Sequence, residues 1–307
     1  MSNLNAPHFQ DADKARQYLE TVRWSNGVTC PHCGTVGEHY LLQGKSTRPG
    51  LYKCNDCREQ FTVTVGTVFE RSKIALNVWL QAVYLMSASK KGISAKQIER
   101  MLGVTYKTAW FMCHRIREAM TNPNGGLLGG NNAPVEADET YWGTVPGKKR
   151  KPGVGHKLKI VSLVERGGSK RSFHVANVNM NTVRPILTEN IKRDSHLMTD
   201  EAVVYCRLGD NFNQHSAVNH SKGEYSRGIV TTNTVESSFA ILKRGLYGTF
   251  HNVSEKHLQR YADEFDFRWN HRQSQGVNDV QRTVAALKGI EGKRFTYRRT
   301  AGEHPAA

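Results

Sequence analysis

Two Cys-x2-Cys pairs, Cys30 with Cys33 and Cys54 with Cys57, constrain this chain more tightly than any other local feature. A two-residue gap lets both sulfurs of a knuckle turn toward one point, and four thiolates satisfy a tetrahedral Zn2+ ion. The twenty residues between the pairs are too few to build a hydrophobic core. Metal binding, on the order of 10–16 kcal/mol in zinc-finger peptides, is what makes such a module fold. The spacing therefore predicts a zinc ribbon whose ion is structural and closed. His32, inside the first knuckle, reads as a neighbour of the site rather than a ligand, because four cysteines already fill the shell. Cys113 and Cys206 lie in helix-like segments and read as buried thiols.

The rest of the chain is strongly basic. Its 307 residues hold 43 Lys and Arg against 27 Asp and Glu, a formal net charge of +16, which calls for a polyanionic partner such as nucleic acid. No apolar run approaches the length of a membrane-crossing helix, and the first twenty residues lack the apolar stretch of a secretory leader. The expected location is cytoplasmic and nucleoid-associated, with no membrane partner.

Along the chain, residues 8–63 read as an N-terminal helix and the zinc ribbon, and residues 64–121 as a helical region. Within that region, Ile93 to Met120 has the pattern of a helix-turn-helix. Ile98, Met101 and Leu102 are expected on one inward face, with Gly103 at the turn. Val104, Ala109, Met112 and Ile116 are expected inside the second helix. Its exposed start, Thr105, Tyr106, Lys107 and Thr108, is then placed to meet DNA, with Lys90, Lys91, Lys96, Arg115 and Arg117 nearby. Residues 122–134, rich in Gly, Asn and Pro, read as a linker. Residues 135–275 give three strand-like runs, a helix, a strand, a short helix, a strand and further helices. That is the order of a ribonuclease-H-like α/β fold. Residues 276–307 read as a basic tail with a mobile end.

Three acids stand out in this basic chain. Asp138 lies in the first strand-like run, Asp200 ends the fourth, and Glu236 opens an amphipathic helix. Carboxylates brought together can hold divalent metal, Mg2+ or Mn2+, against a phosphodiester. Lys243, two turns beyond Glu236 on the same helix face, and Arg244 beside it are within reach of a phosphate. Each acid also has a structural reading. Glu136 shares the strand face of Asp138 and competes with it for the site, whereas Glu139 points the other way. Asp200 can be the N-cap of the EAVVYCRL helix. Asn233 and Glu236 have the spacing of a capping box.

Two further basic segments are candidate DNA contacts. The run at 147–159 holds Lys148, Lys149, Arg150, Lys151, Lys157 and Lys159, in the position of a hairpin loop between the first two strands. In FDFRWNHR, Phe265 and Trp269 are expected in the core, with Arg268 and Arg272 outward.

The segments CPHCG, CNDC, VEADETYWG, HLMTDEAVVY and TNTVESSFAILKRGLYGTFHNVSEKHLQRYADEFDFRWNHR resemble the zinc-ribbon DDE-type transposases of bacterial insertion sequences, in the branch related to the eukaryotic Merlin elements. The resemblance runs from about Phe9 to Arg272. It implies a ribonuclease-H-like catalytic core, preceded by a zinc ribbon and a helix-turn-helix region. It also implies divalent metal, cleavage of double-stranded DNA at terminal inverted repeats, and attack of the freed 3′-hydroxyl on target DNA. A homodimer or higher synaptic assembly follows from the need to bring two ends together. By position, Asp138 and Asp200 match the first two metal-binding aspartates. Asn233 and Glu236 both stand where the third residue belongs; the charged oxygen of Glu236 favours it. A DNA-binding regulator derived from such an enzyme and a structure-specific DNA nuclease are the alternative functions.

Overall fold

The computed structural model describes residues 3–122 and 125–295. Residues 123–124 of the expected linker and residues 296–307, which include the expected mobile end, lie outside the described residues. The chain forms two compact units. One runs to Thr121 and takes up the chain again from Asn278; the other spans Asn122–Val277.

In the first unit, α1 (Pro7–Gln10) and α2 (Ala12–Arg23) precede a three-stranded antiparallel sheet, β1 (His39–Leu41), β2 (Tyr52–Cys54) and β3 (Gln60–Phe61). Asp11 caps α2 by accepting the backbone N–H of Lys14. Trp24, Tyr52 and Phe61 pack as an aromatic cluster behind the ribbon, with ring centroids 5.3–6.0 Å apart. Three helices follow, α3 (Leu76–Ala88), α4 (Ala95–Leu102) and α5 (Tyr106–Met120). Gly103 ends α4 in the left-handed conformation, φ +65°, and Thr105 caps α5, so the chain reverses within three residues. That is the expected helix-turn-helix pair.

The second unit is built on a five-stranded mixed sheet. Its strands are β4 (Pro134–Trp142), β5 (Leu158–Glu165), β6 (Lys170–Val175), β7 (His196–Thr199) and β8 (Gln214–Ala217), in the order β6-β5-β4-β7-β8. The first three form an antiparallel meander, and β7 and β8 join parallel to β4. This is the ribonuclease-H-like arrangement. The helices α6 (Met180–Asn190) and α7 (Val203–Cys206) cover one face. A small hairpin, β9 (Ser226–Arg227) and β10 (Val230–Thr231), leads into α8 (Asn233–Gly245), which with α9 (Glu255–Asn270) covers the other. Strand alternation divides the core accordingly. Val135, Ala137, Val161 and Leu163 pack with Val183, Leu187 and Tyr205, while Trp142, Leu158 and Ile160 pack with Leu242, Leu258 and Phe265.

Two segments differ from expectation. Within the expected tail, α10 (Asp279–Lys288) belongs to the first unit, where Ala286, Leu287 and Ile290 are buried. A Cβ on Gly289 would lie 2.1 Å from the Ala119 carbonyl, so the end of α10 meets the backbone of α5 at a distance only glycine permits. The apolar residues of VAALKGI recur at helical spacing inside an otherwise polar stretch, and that spacing outweighs the basic composition. Within the expected linker, Leu128 is buried and its backbone bonds to Asn190 and Lys192, fastening the start of the second unit beside α6.

Candidate metal and nucleic-acid sites

The four ribbon cysteines converge. Sγ of Cys30 lies 3.7 Å from that of Cys57, and Sγ of Cys33 lies 3.6 Å from that of Cys54. Among the described residues they form the one group of three or more His, Cys, Asp or Glu side chains whose ligand atoms all lie within 4.8 Å of one another. A soft tetrahedral set of this kind suits structural zinc.

The acidic set assembles where β4 outruns β7. The parallel pairing matches Pro134 with His196 and Glu136 with Met198, and the same offset carried forward sets Asp138 level with Asp200. Asp138 is pushed up to about 8, first by burial, then by the charges of Glu139, Asp200 and Glu236. Asp200 is also raised, by burial and by Glu201 and Glu236, against the opposing pull of the Ala202 N–H and His220. The three predicted acids therefore lie within electrostatic reach of one another, although they are not drawn into a set as tight as the cysteines. A pair of metal ions about 4 Å apart needs ligands spread over a wider span than one tetrahedral ion does. Among the described residues Asp138 has no ion-pair partner. Hard oxygen donors that repel one another, the first of them without an ion-pair partner, fit a divalent metal.

The structural readings separate cleanly. Glu136 is fully buried, pairs with Arg166 at 2.7 Å, and accepts the N–H groups of Thr234 (2.8 Å) and Val235 (2.9 Å) and the Thr234 hydroxyl (2.9 Å). Its oxygens are committed to Arg166 and the first turn of α8, whereas Asp138, on the same strand face, has no such partners. Asp200 is not the N-cap of α7; Ala202 is, and Asp200 accepts the Ala202 N–H from the preceding turn. The capping box does not form either. Thr232 occupies the N-cap position, Asn233 is the exposed first residue of α8, and Thr232 donates its hydroxyl to Glu236 at 2.9 Å. Lys243 is half-buried and Arg244 exposed farther along α8.

Several site residues were missed in the sequence. Glu139, on the opposite strand face, accepts the hydroxyls of Tyr205 (2.8 Å) and Tyr141 (3.1 Å) and is itself raised, mainly by burial. Tyr205 is fully buried, and burial beside Glu139 drives its hydroxyl well above the usual range. His220 places Nε2 3.3 Å from Glu236. Glu201 holds that turn by accepting the N–H groups of His220 and Ser221 and the Ser221 hydroxyl. The VNHS segment containing His220 carried no charge run or spacing that would single it out.

The expected DNA-contact residues divide between the units. In the first, Thr105, Tyr106 and Lys107 are exposed and Thr108 half-buried at the start of α5, with Lys96 over the Tyr106 ring at 5.2 Å. Met101 is exposed, not inward, because α4 turns Ile98 inward as its buried residue and leaves Met101 on the flank of the helix. Arg115 and Arg117 are buried in α5 and do not present charge to DNA; Arg115 donates to the Glu70 carbonyl and lies over Trp79 and Phe111. In the second unit, Lys148, Lys149, Arg150 and Lys151 are exposed on the β4–β5 hairpin. Lys159 is instead buried, its ammonium taken by the carbonyls of Lys157 and Ala176. Arg268 is buried against Glu264, while Arg272 stacks on Trp269 at 4.4 Å. Cys113 is buried as expected, but Cys206 is exposed because α7 is a single turn at the surface.

Comparison with known proteins agrees with this layout. Residues 127–270 match the ISXO2-like transposase domain, and residues 10–60 match the transposase zinc-ribbon domain. A protein of the transposable element ISH50 of Halobacterium salinarum is 31% identical, over 85% of this chain and 91% of that protein. Among solved structures, the Mos1 strand transfer complex is similar at 15% identity over 71% of this chain and 78% of that chain, with a TM-score of 0.23.

Proposed function

This chain belongs to the ISXO2-like transposase family, whose members are metal-dependent phosphoryltransferases, and on that premise we propose that it binds the terminal inverted repeats of its element, cleaves DNA there and joins the freed end to target DNA. The observation that carries the reading is the convergence of Asp138 from within β4, Asp200 just after β7 and Glu236 of α8, half-buried side chains, the two aspartates set level by the strand register, with the charges of Asp200 and Glu236 raising Asp138 and that of Glu236 raising Asp200.

Asp138, Asp200 and Glu236 would hold the divalent metal, Mg2+ or Mn2+. When bound, it supplies the Lewis acidity that activates water or a 3′-hydroxyl and steadies the leaving oxygen. Glu136 orients Glu236 by fixing the first turn of α8, and His220 and Thr232 brace the Glu236 carboxylate. Asn233, exposed one turn before Glu236, faces solvent at the entrance to that turn and is the second candidate for the third position. Lys243 and Arg244 meet the backbone of the strand being cut, and Lys148, Lys149, Arg150 and Lys151 grip its flank. In the other unit the zinc ribbon and Thr105, Tyr106, Lys107 and Thr108 read the repeat. Two ends require two active copies, so a homodimer or larger assembly is the working form, acting at the nucleoid. The same reading assigns the chain to the branch related to Merlin elements.

The test is incubation of the purified protein with element-end DNA and Mg2+ or Mn2+, beside Asp200→Asn. Wild type is expected to nick and then join strands. Nicking by the variant at the wild-type rate would remove Asp200 from the metal site. Binding without cleavage would instead favour a regulator, and hydrolysis without joining a structure-specific nuclease.

A further inference from the structure

The short β9–β10 hairpin carries two large exposed apolar side chains, Ile229 in its turn and Tyr225 just before β9, and nothing in the site described so far uses them. Arg227 and Val230 close a two-residue turn at Gly228–Ile229, with Gly228 at φ +63°. Arg166 holds the turn and β10, donating to the carbonyls of Ile229 (2.6 Å) and Thr231 (3.0 Å) while it pairs with Glu136. Ile229 is nevertheless 67% exposed and Tyr225 is 62% exposed. Two large apolar side chains held in water on a fixed backbone are costly for a lone surface turn, and they call for a partner with an apolar face.

Position says which partner. The Tyr225 ring lies 5.3 Å from the His220 ring, and His220 is 3.3 Å from Glu236. Tyr225, at the foot of β9, therefore stands one imidazole away from Glu236, with Lys222 exposed three residues before it and the exposed Arg227 paired with Glu224. An apolar aromatic face flanked by positive charge suits a nucleobase and its phosphate, because every base offers a π-face and the backbone offers the anion. Resting on the phosphoryl-transfer reading of the neighbouring acids, we propose that the exposed Tyr225 ring forms a stacking site for a nucleobase unstacked from the duplex beside the phosphodiester being cut. Withdrawing that base opens the duplex locally, so that the backbone can enter the pocket between Asp138, Asp200 and Glu236.

The experiment compares the full zinc-loaded chain, Tyr225→Ala and Tyr225→Trp, for affinity toward an element-end duplex and the same duplex with a two-base bubble beside the expected cut. Anisotropy is read without Mg2+ or Mn2+. Wild type and Tyr225→Trp are expected to favour the bubble by about tenfold, and Tyr225→Ala to lose that preference while keeping its affinity for paired DNA. Because Tyr225 is mostly exposed, its replacement should leave zinc content and circular dichroism unchanged. Tyr225→Ala that still favours the bubble as wild type does would overturn the stacking site. So would a variant that alters only self-association, which would mark Tyr225 as a contact between copies. Failure of wild type to cut element-end DNA with metal would count against the phosphoryl-transfer reading alone, since the bubble comparison needs no cleavage.

Discussion

The carboxylate of Glu136, in the middle of a central strand, accepts the backbone N–H of Val235 at 2.9 Å, so that a strand side chain serves as the cap of the helix bearing Glu236. Together with the Thr234 N–H and the Arg166 guanidinium, this bond ties β4, which carries Asp138, to α8. The separation between the first and third acids is thus set by a buried polar link rather than by packing alone.

Breaking that link should be costly. Glu136→Ala strands the Arg166 charge and two helix N–H groups, and it is expected to destabilise the second unit by about 3–5 kcal/mol. Glu136→Gln keeps one acceptor and should cost about 1–3 kcal/mol. Urea unfolding followed by circular dichroism measures both, and wild-type midpoints for the two variants would refute the link.

Asp138 makes stability depend on pH in a definite sense. Its carboxyl moves from an ordinary 3.8 up to about 8 on folding, so between those limits the native state holds a proton that the unfolded chain has lost. Stability from this group is full below about pH 4 and falls as pH rises through about 8. Without divalent metal the unfolding midpoint should decline across that window, and Asp138→Asn should flatten the decline. A variant with an unchanged slope would show that Asp138 is not the titrating group.

Glu139 is the second-largest influence on Asp138, after burial. Glu139→Gln keeps an oxygen for Tyr205 or Tyr141 but removes the charge, and should shift the upper end of the same pH window downward. Tyr205→Phe, which leaves a buried carboxylate short of one donor, should destabilise the fold by about 1–3 kcal/mol. Differential scanning calorimetry against pH separates these effects, and superimposable profiles for all three proteins would contradict them.

Zinc removal should act locally. Cys54→Ser, or a strong chelator, is expected to release one ion per chain and unfold the ribbon, with loss of element-end binding. Metal analysis alongside a binding isotherm checks this; unaltered binding by a zinc-free chain would refute it.

Much of this architecture was legible in the sequence because its signals are local. Two Cys-x2-Cys knuckles at close range can do little but share an ion, and the Gly103–Thr105 turn bears its own stop and start residues. The five strands of the core were readable from apolar runs of the right length. What stayed hidden depends on tertiary partners. Glu136 and Asp138 share one strand face and differ only in what α8 brings over them, so alternation could not choose between them. Arg115, Arg117, Lys159 and Arg268 read as surface cations because charge is normally solvated, yet all four are buried, Arg115 against a carbonyl and rings, Lys159 against carbonyls and Arg268 against an acid. His220 and Tyr205 reach the acids from short turns whose course no periodicity specifies. In α10, basic composition masked a short apolar helix.

Mn2+ binding tests the central claim most directly, because it reports on the acids without needing DNA. Equilibrium titration followed by electron paramagnetic resonance should show Asp138→Asn, Asp200→Asn and Glu236→Gln each weakening Mn2+ by about tenfold or more. Asn233→Ala should bind as wild type does. Retention of wild-type affinity by the three acid variants would mean that these carboxylates do not form one metal site.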